Sequence, residues 1–107
     1  MSQEEELRNA VKRVIDQNLS IGYRPSRFIG ATEDGRAPHI VEICEHLLTN
    51  SATLEHIEHA VKTFKNLLTL EDEVTQNPTG FGLSEAARES AQKRVEYFRM
   101  ISTGRRH

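Results

Sequence analysis

The apolar residues of this chain recur at helical spacing in four long segments and one short segment. The first segment covers residues 3–18, and Ser2 with Glu5 forms a capping pattern at its start. The other segments cover residues 39–49, 54–68, 69–76 and 85–102. No run of alternating apolar and polar residues indicates a strand. The pattern therefore predicts an all-α fold, a compact bundle of four main helices plus the short helix over 69–76.

One stripe of each predicted helix carries the side chains that we expect in the core, because residues three and four positions apart share a helix face. The core predicted in this way comprises Leu7, Val11, Val14, Ile43, Leu47, Ile57, Val61, Phe64, Val95 and Phe98. Cys44 falls within the stripe of the segment 39–49. We interpret it as a small buried apolar residue and not as a reactive thiol, since its charged neighbours Glu42 and Glu45 are acidic.

Residues 19–38 are predicted to form an irregular loop, because glycines and prolines interrupt them. Within the loop, Pro25 is expected to open a short helical turn. Long segments without regular structure are uncommon in compact domains and are often functional. The candidate interaction residues Tyr23, Arg24, Arg27 and Phe28 lie in this loop, and aromatic and arginine side chains dominate many protein interfaces. The alternative is that Tyr23, Phe28 and Ile29 serve only to anchor the loop on the core.

Short motifs at cap and core positions follow from this loop to the last helix. They are Tyr23-x-Pro25-x-x-Phe28, Leu47-Leu48, Leu68-Thr69-Leu70-Glu71-x-x-Val74, Phe81-x-Leu83-x-Glu85-Ala86 and Gln92-Lys93-Arg94-Val95. With these motifs, residues 23–95 resemble an uncharacterised small all-helical module of bacterial proteins. Where that module carries a glycine followed by alanines, this chain has Gly35-Arg36-Ala37 and then a proline. The resemblance implies an all-helical domain and brings no activity with it.

The composition bounds the size and the compartment of the protein. The chain has 107 residues and one cysteine, which predicts a single helical domain over 1–107, a frayed tail at 103–107 and no disulfide. No stretch approaches the ~18 apolar residues of a membrane span. The acidic N-terminal residues do not form a secretory signal. We therefore expect a cytoplasmic protein with no membrane partner.

Charge is distributed unevenly along the chain. Between residues 42 and 76, seven acidic residues outnumber two lysines, whereas between 88 and 107 six basic residues outnumber two acidic ones. Oppositely charged segments can attract each other within one fold or across a homodimer. The basic last helix also offers Arg88, Lys93 and Arg99 as candidates for phosphate contacts in a nucleic-acid-binding protein.

His56 and His59 lie one helical turn apart and form the pattern closest to a metal site. The apolar stripe of their predicted helix turns both away from the core, so that we interpret them as solvated residues and expect no metal or other cofactor. The sequence contains no activated-nucleophile motif and no glycine-rich phosphate loop. We therefore expect a protein that is not an enzyme.

These observations favour a non-catalytic domain that acts in protein–protein interaction or regulation. Tyr23, Arg24, Arg27 and Phe28 are its candidate surface, and self-association is one form that the interaction can take. The alternative is a nucleic-acid-binding regulator that uses the basic C-terminal helix.

Overall fold

Six α-helices make up most of the computed structural model, which describes residues 2–103, and no strand occurs within that range. They are α1 Gln3–Ser20, α2 Ser26–Thr32, α3 Ile40–Thr49, α4 Ser51–Thr63, α5 Leu70–Gln76 and α6 Glu85–Thr103. The predicted all-α class is confirmed. The additional helix is α2, which lies inside the segment predicted to be irregular. The tail predicted at 103–107 lies outside the described residues, apart from the backbone of Thr103.

Side-chain caps fix where two of the helices begin, as the sequence predicts. Ser2 Oγ accepts a hydrogen bond from the Glu5 N–H at 3.1 Å at the start of α1. Thr69 and Asp72 form a reciprocal capping box at the start of α5, because the Asp72 N–H donates to Thr69 Oγ1 and the Thr69 N–H donates to Asp72 Oδ2. The box starts α5 at Leu70 as a helix separate from α4.

The core lies where α1, α3, α5 and α6 meet. Its buried members include Leu7, Val11, Ile15, Ile40, Cys44, Leu48, Leu70, Val74, Ala87 and Ala91. The predicted burial of Cys44 is confirmed. By contrast, the predicted core residues Ile43, Leu47, Ile57 and Phe64 are only half-buried. On α3 the more deeply buried row is Ile40–Cys44–Leu48, so that the neighbouring row with Leu47 lies at the edge of the core.

Helix α4 ends at Thr63, earlier than the predicted residue 68, because α1 holds the following linker in a non-helical form that includes a left-handed Asn66 (φ 61°). Gln17 Nε2 donates to Asn66 O at 2.6 Å, and Gln17 Oε1 accepts from the Leu68 N–H at 2.9 Å. Asn18 Nδ2 donates to Leu68 O at 2.9 Å. These bonds satisfy backbone groups that a continued helix would otherwise use, so tertiary contacts override the local helical pattern.

Candidate functional site

An open groove of about 400 Å³ lies between α2, α3 and α4. Half-buried apolar side chains form its walls: Tyr23 and Phe28 on one side, Leu47 and Ile57 on the other. Its volume falls in the range of roughly 300–1,000 Å³ that is typical of ligand sites in proteins. Three of the four candidate interaction residues, Tyr23, Arg27 and Phe28, therefore line a cavity. The two aromatic ones are not only packed into the core.

The turn before α2 positions Tyr23, which the sequence offered either as an interface residue or as a core anchor. The Tyr23 N–H donates to Asn18 O at 2.9 Å. The Tyr23 ring lies 5.1 Å from the ring of Phe64, centroid to centroid, and burial raises the pKa of the phenol. Tyr23 therefore packs against Phe64 and also lines the groove.

Helix α2 presents Phe28 and Arg27 side by side at the groove. Phe28 packs against the core cluster, and it remains half-buried. Arg27 is exposed and lines the groove, whereas Arg24 is exposed and does not line it. The chain thus offers two nearby arginines of which only one borders the cavity.

Buried polar side chains form part of the groove floor. Arg94 of α6 and Glu71 of α5 are 6% and 5% exposed and make an ion pair with an Nη1–Oε2 distance of 3.1 Å. Burial raises the pKa of Glu71, although the nearby guanidinium of Arg94 opposes this shift. A buried charge is tolerated when it is paired and hydrogen-bonded, and the pair meets that condition.

Arg94 also connects α6 to the junction between α3 and α4. Its Nη1 donates to Leu47 O at 2.9 Å, and its Nη2 donates to Asn50 O at 2.8 Å. Carbonyl groups at the end of a helix lack partners within that helix, and a cationic side chain satisfies them well. The guanidinium therefore holds the end of α3, and with it the groove wall at Leu47.

The rim of the groove carries basic side chains. Arg27, His46 and His56 border it and are exposed. Within residues 2–102, the carboxylate that lines the groove is Glu71, which Arg94 already pairs. Arg27 makes no ion pair with another side chain in that range. The electrostatic character of the opening favours an anionic group.

The basic residues that the sequence analysis proposed for nucleic-acid contacts lie on α6, outside the groove lining. Arg88, Lys93 and Arg99 are all exposed. At 100° per residue, Arg88 and Arg99 point about 20° apart, and Lys93 lies about 140° from Arg88. The Nε of Arg88 donates to Leu83 O at 3.1 Å. Two of the three residues therefore share one side of the helix.

The two histidines considered for metal binding differ in their position relative to the groove. His56 lines the groove, and His59 is exposed outside its lining. No three His, Cys, Asp or Glu side chains come together in a metal-binding arrangement within the described part of the chain. Across the same residues, none of the helices combines the length and apolar character needed to cross a membrane.

Sequence reasoning missed Arg94 and Glu71 as parts of the site. A signal was present, because Arg94 lies three residues after Ala91 and four before Phe98, on the apolar stripe of α6. Glu71 similarly lies three residues before the buried Val74. A charged residue in an apolar stripe indicates a buried ion pair, but the stripe does not show which residue is the partner.

Comparison of the chain with protein-family models, with curated proteins and with solved structures finds no match in any of the three. The groove and its residues therefore provide the basis for a functional proposal.

Proposed function

We propose that this protein is a non-catalytic interaction domain whose groove binds an acidic amphipathic segment of a partner protein. The observation that carries the proposal is the combination of apolar walls with a basic rim. Tyr23, Phe28, Leu47 and Ile57 leave apolar surface partly accessible to water. Docking of apolar side chains would remove that surface from water, at a gain of about 25 cal/mol for each Å².

The proposed mode of binding is a helix lying in a groove. Amphipathic helices that bind in this way insert apolar residues spaced by three and four positions. A cavity between helices fits such anchors, and Tyr and Arg side chains on its border are the types that contribute most to interfaces. The proposed partner segment carries acidic residues because the cationic Arg27 borders the opening together with His46 and His56, and the lining holds no unpaired carboxylate among residues 2–102.

Selection from a phage-displayed library of random peptides tests the proposal directly. Peptides of about 16 residues allow roughly four helical turns. We expect enriched sequences with apolar residues at helical spacing and with Asp or Glu among them. No enrichment, or enrichment of peptides with basic residues and no apolar spacing, contradicts the proposal.

A pair of tryptophan substitutions establishes where the peptides bind. Ala52 is exposed and lines the groove, whereas Ala86 is exposed on α6 outside the groove lining. We expect Ala52→Trp to weaken peptide binding at least about 10-fold, equal to 1.4 kcal/mol, because the larger side chain occupies the groove. Ala86→Trp is the matched control and should leave the Kd unchanged. Equal binding to both variants contradicts the groove as the site.

A pair of charge reversals tests the basic rim. Arg27→Glu should weaken binding of the acidic peptides about 10-fold, because it places a carboxylate beside the bound acid. Arg24→Glu makes the same change in net charge outside the groove, and we expect less than about a 3-fold effect because exposed charges are screened. If the two variants behave alike, only overall charge attracts the peptides, and rim recognition is wrong.

Nucleic-acid binding through Arg88, Lys93 and Arg99 stays the competing prediction. A labelled DNA duplex titrated at several salt concentrations tests it on the same protein. Binding through phosphate contacts weakens steeply as salt rises, and apolar docking does not. Tight, salt-sensitive binding that is lost in Arg88→Gln and Arg99→Gln, with no peptide enrichment, would favour the nucleic-acid function over the proposed one.

A further inference from the structure

We propose that an aspartate or glutamate side chain of the partner segment enters the groove and accepts hydrogen bonds from Arg94 on its floor. This inference rests on the proposed function and adds the residue that selects a carboxylate. It differs from attraction by the rim, because Arg94 is 6% exposed and lies at the bottom of the cavity.

Arg94 has more N–H donors than its protein partners use. A guanidinium carries five N–H donors, one on Nε and two on each terminal nitrogen. The hydrogen bonds that Arg94 makes with residues 2–102 start from Nη1, to Leu47 O, Thr53 Oγ1 and Glu71 Oε2, and from Nη2, to Asn50 O. Within that range, no acceptor bonds to Nε, and Nη2 uses one of its two hydrogens.

The unused Nε donor is accessible to water. No fully buried side-chain nitrogen or oxygen in the described part of the chain lacks a hydrogen-bond partner. Since Nε has no partner there, it retains contact with solvent, and the open space that Arg94 lines is the groove. Arg94 is therefore a nearly buried arginine that lines a cavity with apolar walls and has a donor its own chain does not use.

A carboxylate is the ligand group that fits this donor. Hydrogen bonds from a guanidinium to a carboxylate are charge-assisted, and the planar arrangement of its donors matches the two carboxylate oxygens. Glu71 does not occupy the donor, because its bond is to Nη1. Glu71 does neutralise the charge of Arg94, and the exposed Arg27 at the rim supplies the remaining positive charge for an incoming anion.

Nuclear magnetic resonance of the Arg94 Nε–H group tests the inference without a substitution that risks unfolding. The resonance is assigned through the side-chain carbons, at mildly acidic pH and low temperature, where exchange with water is slow. The probes are a selected acidic peptide and its isosteric variant, in which each Asp becomes Asn and each Glu becomes Gln. We expect the acidic peptide to shift the Arg94 Nε–H resonance, and the neutral variant to bind at least about 10-fold more weakly with little shift.

A peptide with a free C-terminus and the same peptide with an amidated C-terminus distinguish two sources of the carboxylate, the chain terminus and an acidic side chain. Amidation of the peptide C-terminus removes the terminal carboxylate and leaves the Asp and Glu side chains intact. The amidated peptide should bind with the same Kd and cause the same Arg94 shift. If amidation abolishes the shift, the terminal carboxylate occupies the floor, and recognition of an acidic side chain is overturned.

The outcomes distinguish this inference from the proposed function. If acidic and neutral peptides bind equally, are blocked by Ala52→Trp and leave the Arg94 resonance unchanged, the groove still binds amphipathic segments, but its selection of acidic ones and the inference are both wrong. If no peptide binds, hexanoate and hexanamide are the probes. A shift of the Arg94 Nε–H by hexanoate alone would keep a carboxylate site on the floor while the protein-interaction function fails, and no shift with either would overturn both.

Discussion

Cys44 shows how burial controls the chemistry of a single residue. The side chain is fully buried in the core, and burial raises the pKa of the thiol from 9.0 to about 12, with a smaller opposing effect from Arg8. A shift of this size lowers the native thiolate population about 1,000-fold at pH 8. We therefore expect iodoacetamide to label native Cys44 far more slowly than Cys44 in urea, as measured by mass spectrometry of timed samples.

The same shift makes the free energy of unfolding depend on pH. The unfolded thiol loses its proton above about pH 9, whereas the folded thiol keeps its proton to about pH 12, so the unfolded state binds fewer protons in that range. Stability should therefore fall as the pH rises from 9 towards 12. Cys44→Ala should lose this part of the dependence.

The labelling experiment has its own control, Ala86→Cys in the Cys44→Ala background, which should react rapidly with iodoacetamide. Equally rapid labelling of native Cys44 would contradict its burial.

Phe98 and Phe64 should differ in their contributions to stability, although the sequence places both in the core. Phe98 is 6% exposed, whereas Phe64 is half-buried and follows the end of α4, where its ring contacts Tyr23. We expect Phe98→Ala to cost about 3–5 kcal/mol and Phe64→Ala about 1–2 kcal/mol. Urea unfolding of both variants checks this, and a larger loss for Phe64→Ala would contradict the packing described for the α4 end.

At the scale of elements, the Arg94–Glu71 pair joins α6, α5 and the α3–α4 junction. Removing one member leaves the other charged and buried, so Arg94→Met or Glu71→Leu should each cost about 3–5 kcal/mol. The double variant should cost less than the sum of the two by at least about 2 kcal/mol, because no uncompensated charge remains. Urea unfolding of the four proteins in this cycle measures the coupling.

The exposed pair Arg13–Glu73 provides a matched control for that cycle. Its Nη2–Oε1 distance is 2.7 Å, shorter than that of the buried pair, but the Arg13 side chain is 55% exposed. Because solvent screens such pairs, the coupling between Arg13→Met and Glu73→Leu should be below about 1 kcal/mol. Additive effects at Arg94 and Glu71, or equal coupling in the two pairs, would show that burial does not strengthen the interaction.

Most helices could be predicted from the sequence because their apolar stripes and caps agree. The starts of α1 and α5 follow from Ser2 and Thr69. The end of α4 could not be predicted, because it depends on hydrogen bonds from Gln17 and Asn18, about 50 positions away. The length of helix α2 was not predicted, because the glycine and proline residues around it indicate an irregular segment with only a short helical turn after Pro25.

The candidate site could be predicted only in part, because it also depends on contacts between residues far apart in the sequence. The aromatic residues Tyr23 and Phe28 were identified as interface candidates, and the structure places both on one groove wall. The floor of the groove was missed, since Arg94 and Glu71 lie 23 positions apart. The apolar stripe around one residue does not show that the other is its partner. Leu47 and Ile57 were assigned to the core, because periodicity finds the apolar face of a helix and does not show how deeply that face is buried.

At the scale of the whole molecule, contacts between elements bring together charges that are separate in the sequence. The acidic segment 42–76 contains α5, which packs against the basic α6, and Glu71 pairs with Arg94 across this boundary. Tyr97 also donates a hydrogen bond to Glu58 at 2.5 Å, which lowers the pKa of that carboxyl. Contacts within one fold thus account for part of the charge asymmetry, and Arg27 at the groove remains available to a partner.

The first helix is predicted to be essential for folding, although the resemblance noted in the sequence begins at residue 23. Leu7, Val11 and Ile15 of α1 are at most 2% exposed and belong to the central cluster. Deletion of residues 2–22 would expose the facing sides of α3 and α5 and remove the bonds that hold the α4–α5 linker. The shortened chain should therefore lack a cooperative thermal transition and a dispersed amide spectrum. Leu7→Ala should cost about 2–5 kcal/mol, whereas the matched Leu19→Ala, at a site 43% exposed, should change stability by less than about 1 kcal/mol. A shortened chain that melts cooperatively would instead place the folding unit within residues 23–103 and make α1 an appended element.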